Sequence, residues 1–268
     1  MQYRILFVCF IFINLQLHAK VDTLYVKSSA MNCSLPNLIV LPHSPYSEPL
    51  PVIYLLHGAG GDFGNWMRRV PVIEELAEEF GVIVVCPDGG KQGWYLDSPE
   101  LENSQYESYV VHDLIPTIDS LYSTRETSTY RAITGLSMGG HGALYLALRH
   151  PELFRSAGSM SGGVDLRPFS EHWGLPKLLG SIDEYPERWA EHSVVEIARR
   201  VSTSTSLIFD CGLSDFFLEV NRDLDNVLNE RGILHSYSER EGTHNWNYWR
   251  VSVVEHFRFF AARFAGEI

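Results

Sequence analysis

The segment of this chain best suited to chemistry is Gly135-Leu136-Ser137-Met138-Gly139. It matches the pattern G-x-S-x-G, follows a strand-like run over 130–134 and opens a helix-like run over 138–150. A serine on a sharp strand-to-helix turn presents its hydroxyl as a nucleophile, and glycines on either side let the strained backbone pass its neighbours. Such a hydroxyl needs a base to take its proton, and the base needs an acid to orient it. On an elbow of this kind the acid follows in the chain and the histidine comes last. Phe209-Asp210-Cys211-Gly212-Leu213-Ser214-Asp215 offers two acids. Asp210 ends a strand, whereas Asp215 lies past a glycine turn in a loop that can reach across the sheet end, so Asp215 is favoured. Asp210 then supports the loop or caps a turn, and either acid also suits the N-cap of a helix near Phe217. His244 lies after the last strand and before the last helix, and takes the role of base. His235 falls within a strand, and His150, His172 and His192 fall in helical or irregular segments. His57-Gly58-Ala59-Gly60-Gly61 follows an apolar run over 52–56, and such a turn can aim backbone N–H groups at a developing oxyanion. As a dinucleotide-binding loop it fails, because Phe63 stands where the third glycine belongs.

These groups need a scaffold. Val52–Leu56 and Val82–Cys86 are continuous apolar runs bounded by turn residues, the pattern of interior strands in a parallel sheet. Tyr130–Thr134, Ser156–Met160, Ser206–Phe209 and Leu234–Tyr237 continue the series, preceded by half-buried strands over Val21–Ser28 and Leu38–Leu41. Helical patterns lie between them: Tyr106–Tyr122 despite Pro116, Met138–His150, a face marked by Phe217, Val220, Leu224 and Val227, and Trp246–Phe264. The alternation predicts an α/β fold, a mostly parallel central sheet with helices on both faces. The irregular stretch Val164–Val201 reads as a small cap insertion or as a plain surface loop.

The chain has 268 residues with 21 basic and 33 acidic side chains, a net charge of −12. That excess of acid argues against nucleic acid as a partner, which requires a surplus of Lys and Arg. Residues 1–19 read as a signal peptide, with Arg4 before an apolar run over 5–17 and the small Ala19 at the cleavage point. The run is short for a membrane span, so the expectation is an exported protein, periplasmic or extracellular, with no stable membrane anchor and one domain over 20–268. Cys33, Cys86 and Cys211 remain after cleavage and allow at most one disulfide. No cysteine or histidine spacing suggests a metal site, and no cofactor is expected.

Taken together, Leu55-Leu56-His57-Gly58, Pro87-Asp88-Gly89, Gly93-Trp94-Tyr95, Asp97-Ser98-Pro99, Gly135 to Ala143, Asp210-x-Gly212-x-x-Asp215 and His244-x-Trp246-x-x-Trp249 resemble the esterase D family of α/β-hydrolases. That family includes feruloyl esterases, tributyrin-type esterases, S-formylglutathione hydrolases and mycolyltransferases. The resemblance runs from about Pro51 to the end. It implies an α/β-hydrolase fold with Ser137 as nucleophile, Asp215 as acid, His244 as base, and the backbone N–H groups of Ala59 and Met138 as the oxyanion hole. The leader departs from the cytosolic glutathione-linked branch, and an aspartate acid departs from the mycolyltransferases. The expected activity is therefore a secreted serine carboxylesterase acting on acetyl or feruloyl-type esters, small or glycan-borne. A same-fold acyltransferase and a non-catalytic glycan-binding protein are the other readings. Among the aromatics near the motifs, Trp94, Tyr95 and Trp246 are the expected substrate contacts, since such rings stack on sugars or phenolic acids.

Overall fold

The computed structural model describes residues 19–43 and 46–267, so the expected signal peptide lies, but for Ala19, outside the described residues. Eight strands form one sheet: β1 (Lys20–Ser28), β2 (Cys33–Leu41), β3 (Val52–Leu56), β4 (Ile83–Pro87), β5 (Arg131–Gly135), β6 (Ser156–Met160), β7 (Ser206–Gly212) and β8 (His235–Arg240). Their spatial order is β1-β2-β4-β3-β5-β6-β7-β8. β1 pairs antiparallel with β2 and β2 antiparallel with β4, and the remaining pairs, from β4 through β3, β5, β6 and β7 to β8, are parallel. Each residue of β3, β4, β5 and β6 is buried, as expected of strands covered on both faces. β2 begins five residues before the predicted Leu38, because the turn after Ser28 pairs it with Cys33 and carries the ladder through the polar Ser34 and Asn37.

The helices are α1 (Asn65–Arg69), α2 (Ile73–Phe80), α3 (Tyr106–Ser108), α4 (Ile115–Leu121), α5 (Met138–Arg149), α6 (Leu175–Leu179), α7 (Pro186–Glu191), α8 (Val194–Arg200), α9 (Leu218–Glu230) and α10 (Trp246–Ala265). Alternation along β3 divides the core. Tyr54 and Leu56 join a cluster with α4, α5, α8 and α9, while Ile53 and Leu55 join one with α2 and α10. Between α3 and α4, Tyr109–Leu114 is wound as a π-helix, the backbone stays helical throughout with Ile115 N–H reaching back to Val110 O, and Pro116, which has no N–H to give, lies just past the wide turn. The insertion between β6 and β7 folds as α6, α7 and α8. Leu175, Leu179 and Trp189 sink into the main core, so it is a packed cap and not a surface loop. Cys33, Cys86 and Cys211 are all free thiols.

Glu107 of α3 straps that segment to α5. Its carboxylate accepts from Tyr145 Oη at 2.9 Å, Arg149 Nε at 2.7 Å and His150 Nε2 at 2.8 Å. Burial alone would raise its pKa, but the hydrogen bonds from His150 and Arg149, the Arg149 charge and the Tyr145 hydroxyl outweigh burial and hold it at about 2, below the usual 4.5. A depressed carboxyl stabilises the fold above its unfolded value and loses that contribution as pH falls through the folded one. His150, raised chiefly by its hydrogen bond to Glu107, acts in the opposite sense and stops contributing as pH rises through its folded value. Glu107→Gln is expected to lower urea-unfolding stability at neutral pH by about 3 kcal/mol. It should also flatten the acid limb of stability between 4.5 and about 2. An unchanged midpoint and acid limb would contradict this role.

Candidate active site

The register of the sheet assembles the site. β3 and β5 run parallel with Leu56 opposite Gly135, so the glycine turn after β3 and the serine turn after β5 leave the sheet side by side. Ser137 has φ 55° and ψ −119°, a strained conformation for a residue with a side chain. It is fixed by Ser137 N–H donating to Met160 O at 2.9 Å and His141 N–H donating to Ser137 O at 3.0 Å. Gly139 is needed because a Cβ there would lie 2.6 Å from both Leu56 O and His57 O. Backbone cannot yield cheaply, so Gly139→Ala should cut both the soluble yield and the melting temperature, whereas a melt matching the parent would refute the close approach.

β7 and β8 bring the other two groups. Asp210 pairs with Ser238 and Gly212 with Arg240, so both chains turn out of the sheet at one level. A Cβ on Gly212 would lie 2.5 Å from Gly242 O, and Ser214 N–H donates to that oxygen at 2.9 Å. The loop bearing Asp215 and the loop bearing His244 are thus locked together. Asn245 caps α10, its side chain accepting from Asn247 N–H at 2.8 Å and Tyr248 N–H at 3.3 Å, which sets the direction of His244 just before it.

The three side chains meet. His244 Nδ1 lies 2.9 and 3.1 Å from the two Asp215 carboxylate oxygens, and His244 Nε2 lies 2.8 Å from Ser137 Oγ. With the carboxylate as acceptor the ring proton sits on Nδ1, so Nε2 is free to accept from the serine hydroxyl. Phe217 N–H also donates to Asp215 Oδ1 at 2.9 Å. Phe216, Trp249 and Phe217 enclose the imidazole, at ring-centre distances of 4.3, 4.9 and 5.4 Å. Such a relay can move a proton from serine oxygen to imidazole while the carboxylate offsets the charge.

Asp210, the other acid, is turned to the opposite side. It accepts from Ser252 Oγ at 2.6 Å and from His256 Nε2 at 3.0 Å, and His256 Nδ1 reaches Thr134 Oγ1 at 2.7 Å. Burial would raise its pKa, but the His256 hydrogen bond and charge, with Ser252 and Arg240, bring it below the usual carboxylate value. This buried chain ties α10 to β5 and β7 beneath the serine turn.

Around Ser137, most backbone N–H groups are committed: Gly60 to Lys91 O at 2.7 Å, Gly61 to Gly58 O at 3.0 Å, and Gly139 to Leu136 O at 2.7 Å. Ala59 N–H meets no acceptor among the described residues, and Met138 N–H is the first of α5, with no partner one turn back. His57 pins the glycine turn. Its Nε2 accepts from Gly89 N–H at 3.0 Å and its Nδ1 donates to Gly58 O at 2.9 Å; burial lowers its pKa and keeps it neutral.

The cleft above Ser137 has a volume of about 340 Å³ and is walled by Trp94, Trp173, Phe216, Trp246 and Trp249. Two of the three expected contacts, Trp94 and Trp246, line it. Tyr95 does not and is corrected to a core residue. It is fully buried, its ring lies under Gly142, and its hydroxyl accepts from His57 N–H at 3.0 Å. Trp173 and Phe216 line it as well, outside the expected contacts, and their rings stack at 5.6 Å with an angle of 23°. Phe216 adjoins Asp215 in sequence and was open to inference, whereas Trp173 arrives from the irregular cap with no local signal. His141, buried in α5, holds that cap by bonding His192 O through Nε2 at 2.8 Å, and burial lowers its pKa to about 4. Among the described residues no group of three His, Cys, Asp or Glu is placed to hold a metal ion, and no helix is long and apolar enough to cross a membrane.

A mostly parallel eight-stranded sheet with helices on both faces and a serine turn after β5 defines the α/β-hydrolase fold. Solved structures agree. The fold matches FphF, a fluorophosphonate-binding serine hydrolase of Staphylococcus aureus, with TM-score 0.81 and 20% identity over 91% of this chain and 98% of that one. It matches a ferulic acid esterase with TM-score 0.79 and 24% identity over 92% of this chain and 100% of that one. The chain belongs to the esterase family whose model, described as "Putative esterase", matches residues 28–260, and its chemistry is ester hydrolysis. An acetyl esterase of Caldicellulosiruptor saccharolyticus is 27% identical over 231 residues, 80% of this chain and 85% of that protein.

Proposed function

We propose that this chain is an exported serine carboxylesterase that removes acetyl or feruloyl-type acyl groups from glycans or small esters. The observation that carries the reading is the continuous relay from Asp215 through His244 to Ser137, with bonds of 2.9 and 2.8 Å. Ser137 Oγ attacks the ester carbonyl while His244 Nε2 takes its proton. The carbonyl oxygen gains charge and accepts from the Ala59 and Met138 N–H groups. Collapse expels the alcohol, which receives the proton from His244, leaving an acyl-serine. Water then attacks it, giving its proton to His244, and the acid and free serine are restored.

The acetyl esterase relative and the matching fold of a ferulic acid esterase support this substrate class. So does the aromatic wall, which suits a sugar ring or phenolic acid. Export rests on the leader, and β1 starts at Lys20, so cleavage after Ala19 leaves every described strand whole. The test is to compare turnover of 4-nitrophenyl acetate, methyl ferulate and acetylated or feruloylated oligosaccharides. The reading expects the highest kcat/KM on a glycan ester. Equal rates on all of them would remove the glycan preference, and acyl transfer to sugar outrunning hydrolysis would replace the esterase by a transferase.

Trp173 tests the acyl wall. Trp173→Ala should raise KM for methyl ferulate about tenfold through the loss of one stacking surface, with 4-nitrophenyl acetate changing by less than about twofold. Equal losses on both substrates would mean that Trp173 only supports the cap.

A further inference from the structure

The far end of the sheet carries a second cavity that the hydrolytic reading does not use. It lies where β6, β7 and β8 begin, whereas Ser137, Asp215 and His244 follow strand C-termini. Its volume is about 490 Å³, and Arg155, Arg231 and Arg263 line it with a run of hydroxyl residues from Ser202 to Ser206. Among the described residues, no acidic one lines it.

In this acidic chain most arginines are neutralised: Arg131, Arg149, Arg167, Arg188 and Arg222 each hold a carboxylate. The three arginines of the cavity hold none among the described residues. Arg155 donates to Ser204 Oγ, and Arg231 donates to Val201 O at 3.1 Å, so both are steered by neutral acceptors on the hydroxyl-rich loop. Arg263 Nε is buried without a partner, and its guanidinium lies 5.4 Å from the Phe259 ring centre. Three uncompensated guanidinium groups facing one cavity repel one another, and each is a forked donor suited to oxygen anions. A carboxylate would offset only one of the three charges. A tetrahedral dianion offsets two and has enough oxygens to meet all three forks. The cavity is larger than one such ion, and Ile233 with the 87% exposed Leu234 gives it an apolar rim for an organic body.

We propose that this cavity is a second ligand site that takes a tetrahedral dianion, a phosphate or sulfate group, free or carried as a monoester. The site is separate from the ester-hydrolysing cleft and does not depend on the roles given to Ser137, Asp215 and His244. Calorimetric titration of the whole chain with inorganic phosphate, inorganic sulfate and phenyl phosphate, each at a series of sodium chloride concentrations, tests it. The expected result is saturable binding at one site per chain that weakens as chloride rises. Phenyl phosphate binding more tightly than inorganic phosphate identifies the monoester as the ligand, and equal binding identifies the free ion. Arg231→Gln and Arg263→Gln should each weaken binding about tenfold or more, in line with loss of a charge-assisted bond. Both should leave 4-nitrophenyl acetate turnover unchanged. Arg231 is exposed, so its variant is expected to fold even if Arg263→Gln does not. No saturable binding by the parent, or equal binding by the parent and the folded Arg231→Gln variant, would overturn the site.

Discussion

Ser137→Ala is expected to lower kcat toward 4-nitrophenyl acetate by about 10⁵-fold, leaving only what the oxyanion donors and binding supply. KM should change little, because the hydroxyl contributes to bond making and not to holding the substrate. The melting temperature should stay within a few degrees of the parent. Among the described residues Ser137 Oγ hydrogen-bonds only His244, and the backbone bonds that fix the turn belong to Ser137 N–H and C=O, which alanine keeps. A variant that retains a tenth of the parent's rate would exclude Ser137 as nucleophile. A variant that loses rate and melts early would leave the loss attributable to the elbow.

The second large effect separates the two acids. Asp215→Asn should lower kcat by about 10⁴-fold, because an amide can offer its N–H to Nδ1 and invert the imidazole tautomer. Nε2 would then carry the proton and could no longer accept one from Ser137. Stability should change little, since Asp215 serves His244 and one backbone N–H. Asp210→Asn should do the reverse. It breaks a buried chain through His256 to Thr134, so unfolding stability should drop by about 3 kcal/mol, with a smaller loss of kcat at temperatures where the protein stays folded. Exchange of these two phenotypes would reassign the acid.

Much of this site could be read before any coordinates, for identifiable reasons. The serine turn is announced by glycines that hard contacts require; Gly139 leaves no room for a Cβ against β3. The limits of β3 are legible in the sequence, since its five apolar residues are buried on both faces and end at a glycine turn. The choice of Asp215 over Asp210 follows from reach: the first lies beyond Gly212 in a loop, and the second ends the strand; the structure turns Asp210 to Ser252 and His256 instead. What the local sequence does not encode is long-range. β7 runs three residues past the predicted Phe209 because β8 continues beside it to Arg240, a pairing invisible in either segment alone. Tyr95 lies in the core and not in the cleft because proximity to a motif says nothing about which side of the turn a ring takes. Trp173 enters the cleft through a cap whose path depends on bonds such as His141 to His192 O, and no local pattern encodes that.

The most direct measurement is mass spectrometry of the protein after exposure to a fluorophosphonate, a reagent that phosphonylates a serine only when its hydroxyl is activated. The account predicts one adduct per chain, located on the peptide that contains Ser137, and its absence in the Ser137→Ala and His244→Ala variants. An unlabelled parent that still hydrolyses esters, or an adduct on any other residue, would contradict it.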